Sequence, residues 1–226
     1  MIKCSQPSYL ASRVAYERSA GRFYDELKFN KLSNLNINFA EKVIDVYLDT
    51  KSLNFSSYTL DKRGSYFSRQ YGGDPWKAYE DISVRLIRSN LFSSEVLAVI
   101  ADYVTTPREI KFEASVKKRI NTDTQRFSIM GVVRIDSRSN DVLQIVDLMI
   151  GAINYDLKLT TGLTKSGDRH KRQFVDYLKS KLEVRDFLNY GNGFRNRGFN
   201  IFIDKSVMER TSLDYQDCGK EKRPSS

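Results

Sequence analysis

The sequence has few of the residues on which many catalytic and structural sites depend. Its two cysteines, Cys4 and Cys218, lie near opposite ends of 226 residues, which excludes a disulfide framework and a cysteine zinc site. The single histidine, His170, lies in a charged run and is a poor candidate for the base of a Ser-His-Asp or Cys-His enzyme. The low cysteine content also favours a reducing compartment, so we expect a cytoplasmic protein.

Long apolar runs and the common phosphate-binding loops are missing as well. No apolar run approaches the ~20 residues that span a bilayer, so we expect no membrane partner. The first residues contain no apolar stretch typical of a signal peptide. Neither G-x-x-x-x-G-K-[ST] nor G-x-G-x-x-G occurs in the sequence. Hydrophobic residues nevertheless make up 40% of the chain, which is enough for the core of one domain.

Positive charge is in surplus. The chain has 37 Lys and Arg against 28 Asp and Glu, a net charge of +9, which favours an anionic partner such as nucleic acid. Cations cluster at 117–119 and 169–185, and Arg195 and Arg197 follow beside Phe194, so together they could follow a phosphate backbone. Alternatively, these clusters are solvated helix faces, and the stretch around Arg195 only ends a helix before a hairpin.

Helical and extended patterns alternate along the chain, which predicts a single α/β domain over residues 1–205 and a polar, disordered tail over 206–226. We expect helices to begin near Pro7, Asn38, Pro75, Pro107 and Asp141, and one long basic helix over 168–188. Strands are expected over 53–60, 95–102, 126–135 and 199–203, and a loop over 63–73. The unbroken apolar run before Asp102 is typical of a strand covered on both faces.

Two acidic residues are notable for their positions. Asp102 ends the predicted buried strand, where open α/β sheets bind their ligands. Asp147 interrupts an apolar helix, so its carboxylate must be hydrogen-bonded, paired or metal-bound. Converging carboxylates would hold Mg²⁺ or Mn²⁺ and could support phosphodiester cleavage. Alternatively, Asp102 only caps the following turn, and Asp147 faces water or pairs with a lysine.

Four segments together resemble a known family. They are Glu26-Leu27-Lys28-Phe29, Val99-Ile100-Ala101-Asp102, Ile135-Asp136-Ser137-Arg138-Ser139, and Leu143-Gln144-Ile145-Val146-Asp147-Leu148-Met149-Ile150-Gly151-Ala152. In this order they resemble the bacterial domain of unknown function 3800 family, whose members often occur in mobile and defence-associated gene neighbourhoods. The resemblance covers roughly residues 26–203.

The resemblance implies a ribonuclease H-like mixed sheet flanked by helices, and metal-dependent nuclease activity. By motif position, Glu26, Asp102 and Asp147 would be the catalytic residues and hold Mg²⁺ or Mn²⁺. Lys28 would contact phosphate. Ser137 and Gln144 would either face the substrate or contact the metal ligands without binding the metal themselves.

The chain departs from the family at its start. Members open with a strand carrying Asp-Glu-Ser-Gly, whereas this sequence has no acidic residue before Glu17. We therefore expect the N-terminal strands to be missing and a sheet edge to be exposed. This predicts weak or no activity alone and pairing with a partner subunit or a second copy. The alternative functions are a non-catalytic nucleic-acid-binding or complex-assembly subunit, and an interaction protein whose acids are purely structural.

Overall fold

The computed structural model describes residues 1–164, 167–190, 198–204 and 207, and within them helices and short strands alternate, which confirms a mixed α/β class. The strands are β1 (Ile2–Cys4), β2 (Leu53–Thr59), β3 (Leu97–Asp102), β4 (Ile129–Ile135) and β5 (Phe199–Ile203). The helices are α1 (Pro7–Gly21), α2 (Ile37–Asp49), α3 (Ser65–Tyr71), α4 (Pro75–Ser89), α5 (Phe112–Thr124), α6 (Asp141–Thr160), α7 (Arg169–Leu182) and α8 (Phe187–Tyr190). None of these described helices is long and apolar enough to cross a membrane. Apart from residue 207, the predicted tail lies outside the described residues.

The strands form two small sheets. β2 lies between β1, which is antiparallel to it, and β5, which is parallel. β3 and β4 form a separate parallel pair in which Ile100 lies opposite Val133 and Asp102 opposite Ile135. The sequence pattern does not predict β1, because three residues are too few to show an alternating pattern.

The larger hydrophobic core lies between the first sheet and helices α1, α2, α6, α7 and α8. α6 is its central element: Ile145, Leu148, Met149 and Ala152 are each 0% exposed. Burying a side chain as large as leucine or methionine contributes about 1.5–3 kcal/mol. The position of α6 is therefore strongly fixed, and so are the residues on its other faces.

A second core lies between helices α4 and α5 and one face of the β3–β4 pair. Phe112, Val116 and Ile120 of α5, at spacing four, are all buried there as their spacing predicts. Burial alternates along β3, and its other face is open in the described residues, with Ile100 49% exposed. Within the described residues, the expectation that β3 is covered on both faces is therefore wrong, because both neighbouring helices pack on the same side.

Helix boundaries follow the local signals where a cap is present. Asp74 accepts hydrogen bonds from the backbone of residues 76 and 77, so α4 begins at Pro75 as predicted. The expected loop at 63–73 contains α3 instead, since Phe67 and Tyr71, four residues apart, pack against Ala78. The expected long basic helix is divided, because Glu183 adopts a left-handed φ of 57° between α7 and α8.

The contact between Gly151 of α6 and Phe29 provides a test of this packing. A Cβ on Gly151 would come within 2.5 Å of the Cβ of Phe29. The ring of Phe29 also contacts the rings of Tyr155 and Phe174, which restrict its movement. We expect Gly151→Ala to lower the free energy of unfolding by about 1–3 kcal/mol, although alanine favours helix. Urea denaturation measures the change.

The matched control is Gly131→Ala, where an added Cβ meets nothing within 4 Å. We expect its free energy of unfolding to change by less than about 0.5 kcal/mol. Equal losses in the two variants would contradict the close contact.

Candidate functional site

A stripe of three residues on α6 fixes the segment of residues 26–31, here called the anchored segment. Gln144 Oε1 accepts a hydrogen bond from the backbone N–H of Leu27 (2.8 Å), and Asp147 Oδ2 accepts one from that of Phe29 (2.9 Å). The ring of Phe29 lies against Gly151. Spacings of three and four residues put these three positions on one helix face. Leu27 and Phe29 are therefore held against α6.

Glu26 and Lys28 lie on the opposite side of the anchored segment. The backbone at Lys28 is extended, with φ −134° and ψ 142°, so successive side chains point to opposite sides. Both side chains reach an open cleft of about 400 Å³. The cleft is lined by Glu26, Lys28, Lys31, Asp102, Tyr103, Asp136, Ser137 and Arg138.

Glu26 contacts three other polar side chains of the cleft. Its Oε1 lies 2.9 Å from Lys28 Nζ and accepts a hydrogen bond from Ser137 Oγ at 3.0 Å, and its Oε2 lies 3.4 Å from Lys31 Nζ. Burial raises the pKa of Glu26, but the hydrogen bonds from Lys28, Ser137 and Lys31 outweigh it and hold the pKa below its ordinary value. Glu26 is therefore an anion at neutral pH.

Lys28 is the cation that pairs with Glu26 in the cleft. Its hydrogen bond to Glu26 raises the pKa of the ammonium, and the charges of Asp147 and Asp102 raise it further. Lys28 therefore carries its charge at neutral pH and is not a base. Of the three acids chosen from the sequence, Glu26 is the one that pairs directly with this ammonium ion.

The structure gives Asp102 and Asp147 local partners as well. Asp102 is exposed at the end of β3, and its Oδ1 accepts a hydrogen bond from the backbone of Tyr103 at 2.9 Å. This contact matches the alternative in which Asp102 caps the following turn. Asp147 is exposed but hydrogen-bonded to Phe29, so its carboxylate helps to hold the anchored segment.

The predicted substrate-binding residues divide into three groups. Lys28 and Ser137 line the cleft. Gln144 does not face a substrate, because it is 2% exposed and lies behind the cleft, where its Nε2 donates to the Ser137 carbonyl at 2.9 Å and its Oε1 also accepts from Arg18 at 2.8 Å. Arg195 and Arg197 lie outside the described residues.

Sequence reasoning missed Asp136, Arg138 and Lys31 as residues of the cleft. Asp136 directly follows β4, as Asp102 ends β3, and the carboxyl ends of parallel strands meet at one edge. An acid at the end of each of two predicted strands was therefore the available signal. Hydrogen bonds from Arg138 lower the pKa of Asp136 to about 2.

The basic clusters predicted on the helices are partly neutralised. Arg119 lies within 3.0 Å of carboxylate oxygens of Glu80 and Asp81. On α7, Lys179 pairs with Asp156 at 3.0 Å and Lys181 pairs with Asp45 at 2.8 Å. These contacts leave less free positive charge on these surfaces than the composition suggests.

The acids near the cleft have the donor chemistry of a hard-cation site but not its arrangement. Glu26, Asp102 and Asp147 offer only oxygen ligands, the type that Mg²⁺ and Mn²⁺ prefer. Glu26 and Asp102 line the cleft, whereas Asp147 does not, and the Lys28 ammonium lies 2.9 Å from Glu26 Oε1. Within the described ranges, no three acidic, histidine or cysteine side chains form a metal-binding group. A metal ion would therefore require Lys28 to leave Glu26 and the three carboxylates to move closer together.

Comparison of the chain with protein-family models, with curated proteins and with solved structures gives no match. The chemistry and geometry of the cleft are therefore the basis for assigning a function.

The buried amide of Gln144 provides a test of the anchoring. Gln144→Met keeps the side-chain volume but leaves the Leu27 N–H and the Ser137 carbonyl without their partner. We expect the free energy of unfolding to fall by about 2–4 kcal/mol, measured by urea denaturation. The same exchange at Gln173, which is exposed, should change it by less than about 0.5 kcal/mol, and a Gln144→Met variant as stable as this control would contradict the anchoring.

The lowered pKa of Glu26 predicts a pH dependence. A carboxylate whose pKa is lower in the folded state stabilises the protein above its unfolded pKa, and this stability is lost as pH falls through the folded pKa. We expect Glu26→Gln to be less stable than the wild type at pH 7, and the difference to shrink as pH falls below the ordinary value of 4.5. Thermal unfolding at several pH values measures it.

The control is Glu109→Gln, an exposed position, which should match the wild type within about 0.5 kcal/mol at every pH. A Glu26→Gln difference that stays constant from pH 7 to pH 3 would show that Glu26 is not the titrating group.

Proposed function

We propose that this protein is a metal-dependent nuclease that cleaves phosphodiester bonds in nucleic acid at the cleft. The observation that carries the proposal is that Glu26 and Asp102, far apart in sequence, line one cleft with Lys28, while Asp147 fixes the segment that carries Glu26 and Lys28. Mg²⁺ or Mn²⁺ held by these carboxylates would activate water and stabilise the leaving oxygen. The surplus of positive charge is consistent with a polyanionic substrate.

The residues of the cleft have separate roles in this proposal. Ser137 orients Glu26 through its hydrogen bond, and Gln144 supports both the anchored segment and the Ser137 backbone. Asp147 already uses Oδ2 for Phe29, so Oδ1 would be the oxygen left to hold a cation. Lys28, once released from Glu26, binds a phosphate oxygen of the substrate.

We also propose that the fold is ribonuclease H-like and that the chain belongs to the domain of unknown function 3800 family. The mixed sheet of antiparallel β1–β2 and parallel β2–β5 supports the fold. Contacts of Gln144, Asp147 and Gly151 with the anchored segment give a physical reason for two of the motif segments to occur together. The proposed cytoplasmic location rests on the low cysteine content. The proposed link to mobile elements or defence rests on the same resemblance.

The second candidate is a non-catalytic nucleic-acid-binding or complex-assembly subunit. One observation favours it: in the described part of the chain the acids form no metal-binding group, and Asp102 and Asp147 already accept backbone hydrogen bonds. In this case the acids only position Lys28 and the anchored segment.

Binding of Mn²⁺, measured by electron paramagnetic resonance, distinguishes the two candidates. We expect Lys28→Met to bind Mn²⁺ at least about tenfold more tightly than the wild type, because the competing ammonium is gone, a difference of about 1.4 kcal/mol. Lys42→Met, at an exposed position on α2, is the matched control and should bind as the wild type does. Equal, weak binding by all three proteins would overturn the metal site.

Cleavage of labelled DNA and RNA oligonucleotides in Mn²⁺ tests the activity itself. We expect the wild type to cleave, and Asp102→Asn and Asp147→Asn to lose at least about tenfold in rate because each removes a ligand charge. Asparagine at 147 keeps an acceptor for Phe29, so this variant should fold. No cleavage, together with nucleic-acid affinity that falls steeply with salt, would support the second candidate instead.

A further inference from the structure

The open face of the β3–β4 pair, here called the β3–β4 face, is a concentrated apolar surface. Val96, Ile100, Met130 and Val133 are between 49% and 58% exposed. Phe92 and Phe127, near the amino ends of the two strands, are 63% and 59% exposed. Among the described residues, eight of the fourteen exposed large apolar side chains lie in 92–104 and 127–133, so the exposure is not random scatter.

Parallel sheets are normally covered on both faces, and the sequence of β3 is apolar on both faces. Within the described chain, α4 and α5 cover only one of them. The apolar composition of the β3–β4 face therefore calls for a cover that the described elements do not supply.

The charges near the β3–β4 face argue against nucleic acid as this cover. Arg126 donates to the carbonyls of Phe92 and Glu95, Arg134 pairs with Glu113, and Lys117 donates to the Met130 carbonyl. These cations are thus engaged within the chain, and the face ends at the carboxylate of Asp102. An uncharged apolar surface complements another apolar surface, not phosphate.

The geometry also favours packing face to face over pairing at the edge of β4. The carbonyls of Ile129 and Met130 accept hydrogen bonds from Asn121 and Lys117, so these two groups of β4 are not available to another strand. The eight exposed apolar side chains of 92–104 and 127–133, four on the face and four at its borders, together present on the order of 600 Å² of apolar surface. This area approaches the ~800 Å² that each partner buries in a standard interface.

We propose that a second copy of this chain packs its β3–β4 face against this one about a twofold axis. Such an interface is self-complementary, because the same apolar surface is presented by both copies. It would place the two clefts at the ends of one interface, since Asp102 and Tyr103 border both the face and the cleft.

Sedimentation equilibrium of the full chain at micromolar concentration tests the proposal. We expect twice the chain mass of 26.1 kDa for the wild type and a monomer for Ile100→Lys, with unchanged circular dichroism. Leu35→Lys, at an apolar position that is 93% exposed outside this face, is the matched control and should remain a dimer. A monomeric wild type, or a folded Ile100→Lys variant that dimerises as the wild type does, would overturn the proposal.

Hydrogen exchange of the wild-type protein keeps the test decisive if Ile100→Lys does not fold. We expect exchange in 96–104 and 129–135 to slow as protein concentration rises through the dimer range. Slow exchange that is independent of concentration would mean that other residues of the chain cover the face. Exchange that slows only when single-stranded RNA is added would make nucleic acid the occupant. Either result overturns the proposal.

Discussion

Two backbone N–H groups, those of Leu27 and Phe29, donate to side chains of α6, and the cleft depends on them. α6 is itself fixed by the apolar side chains that it buries in the main core. These hydrogen bonds therefore fix the irregular anchored segment relative to a rigid helix. Because the segment is extended, holding every second residue against α6 forces Glu26 and Lys28 outward into the cleft.

The balance of charge in the cleft follows from this arrangement. Lys28 lies 2.9 Å from Glu26, and Asp102 lies in the same cleft at the end of a separate sheet. The nuclease proposal requires a metal ion to take the place of the Lys28 ammonium. The binding proposal requires only the ammonium.

The sequence was sufficient to predict the elements with strong local signals. Asp74 and Pro75 mark the start of α4, and the apolar spacing of Phe112, Val116 and Ile120 correctly predicts the buried side of α5. The sequence was insufficient where contacts between distant elements decide the local structure. α3 forms because Phe67 and Tyr71 pack on Ala78, and the open face of β3 results from where two helices dock, which a local pattern does not encode.

The same distinction holds in the cleft. The placement of Asp102 at the end of a strand followed from its position after an apolar run. For Gln144 the sequence left two roles open, facing the substrate or supporting other residues, and its burial matches the second. The side-chain amide of Gln144 could contact either a ligand or the protein backbone. Only the packing of the anchored segment on α6 shows that it contacts the backbone. Arg138 and Lys31 were missed although they pair with the nearby Asp136 and Glu26, because only the fold shows that these pairs border the same cleft.

The proposed nuclease requires the cleft to exchange the Lys28 ammonium for a divalent cation. Anomalous diffraction from a crystal soaked in Mn²⁺ tests for this exchange. We expect a manganese peak between Glu26, Asp102 and Asp147, with the Lys28 side chain turned away from Glu26. A cleft without a peak, in which Lys28 still contacts Glu26, would contradict it.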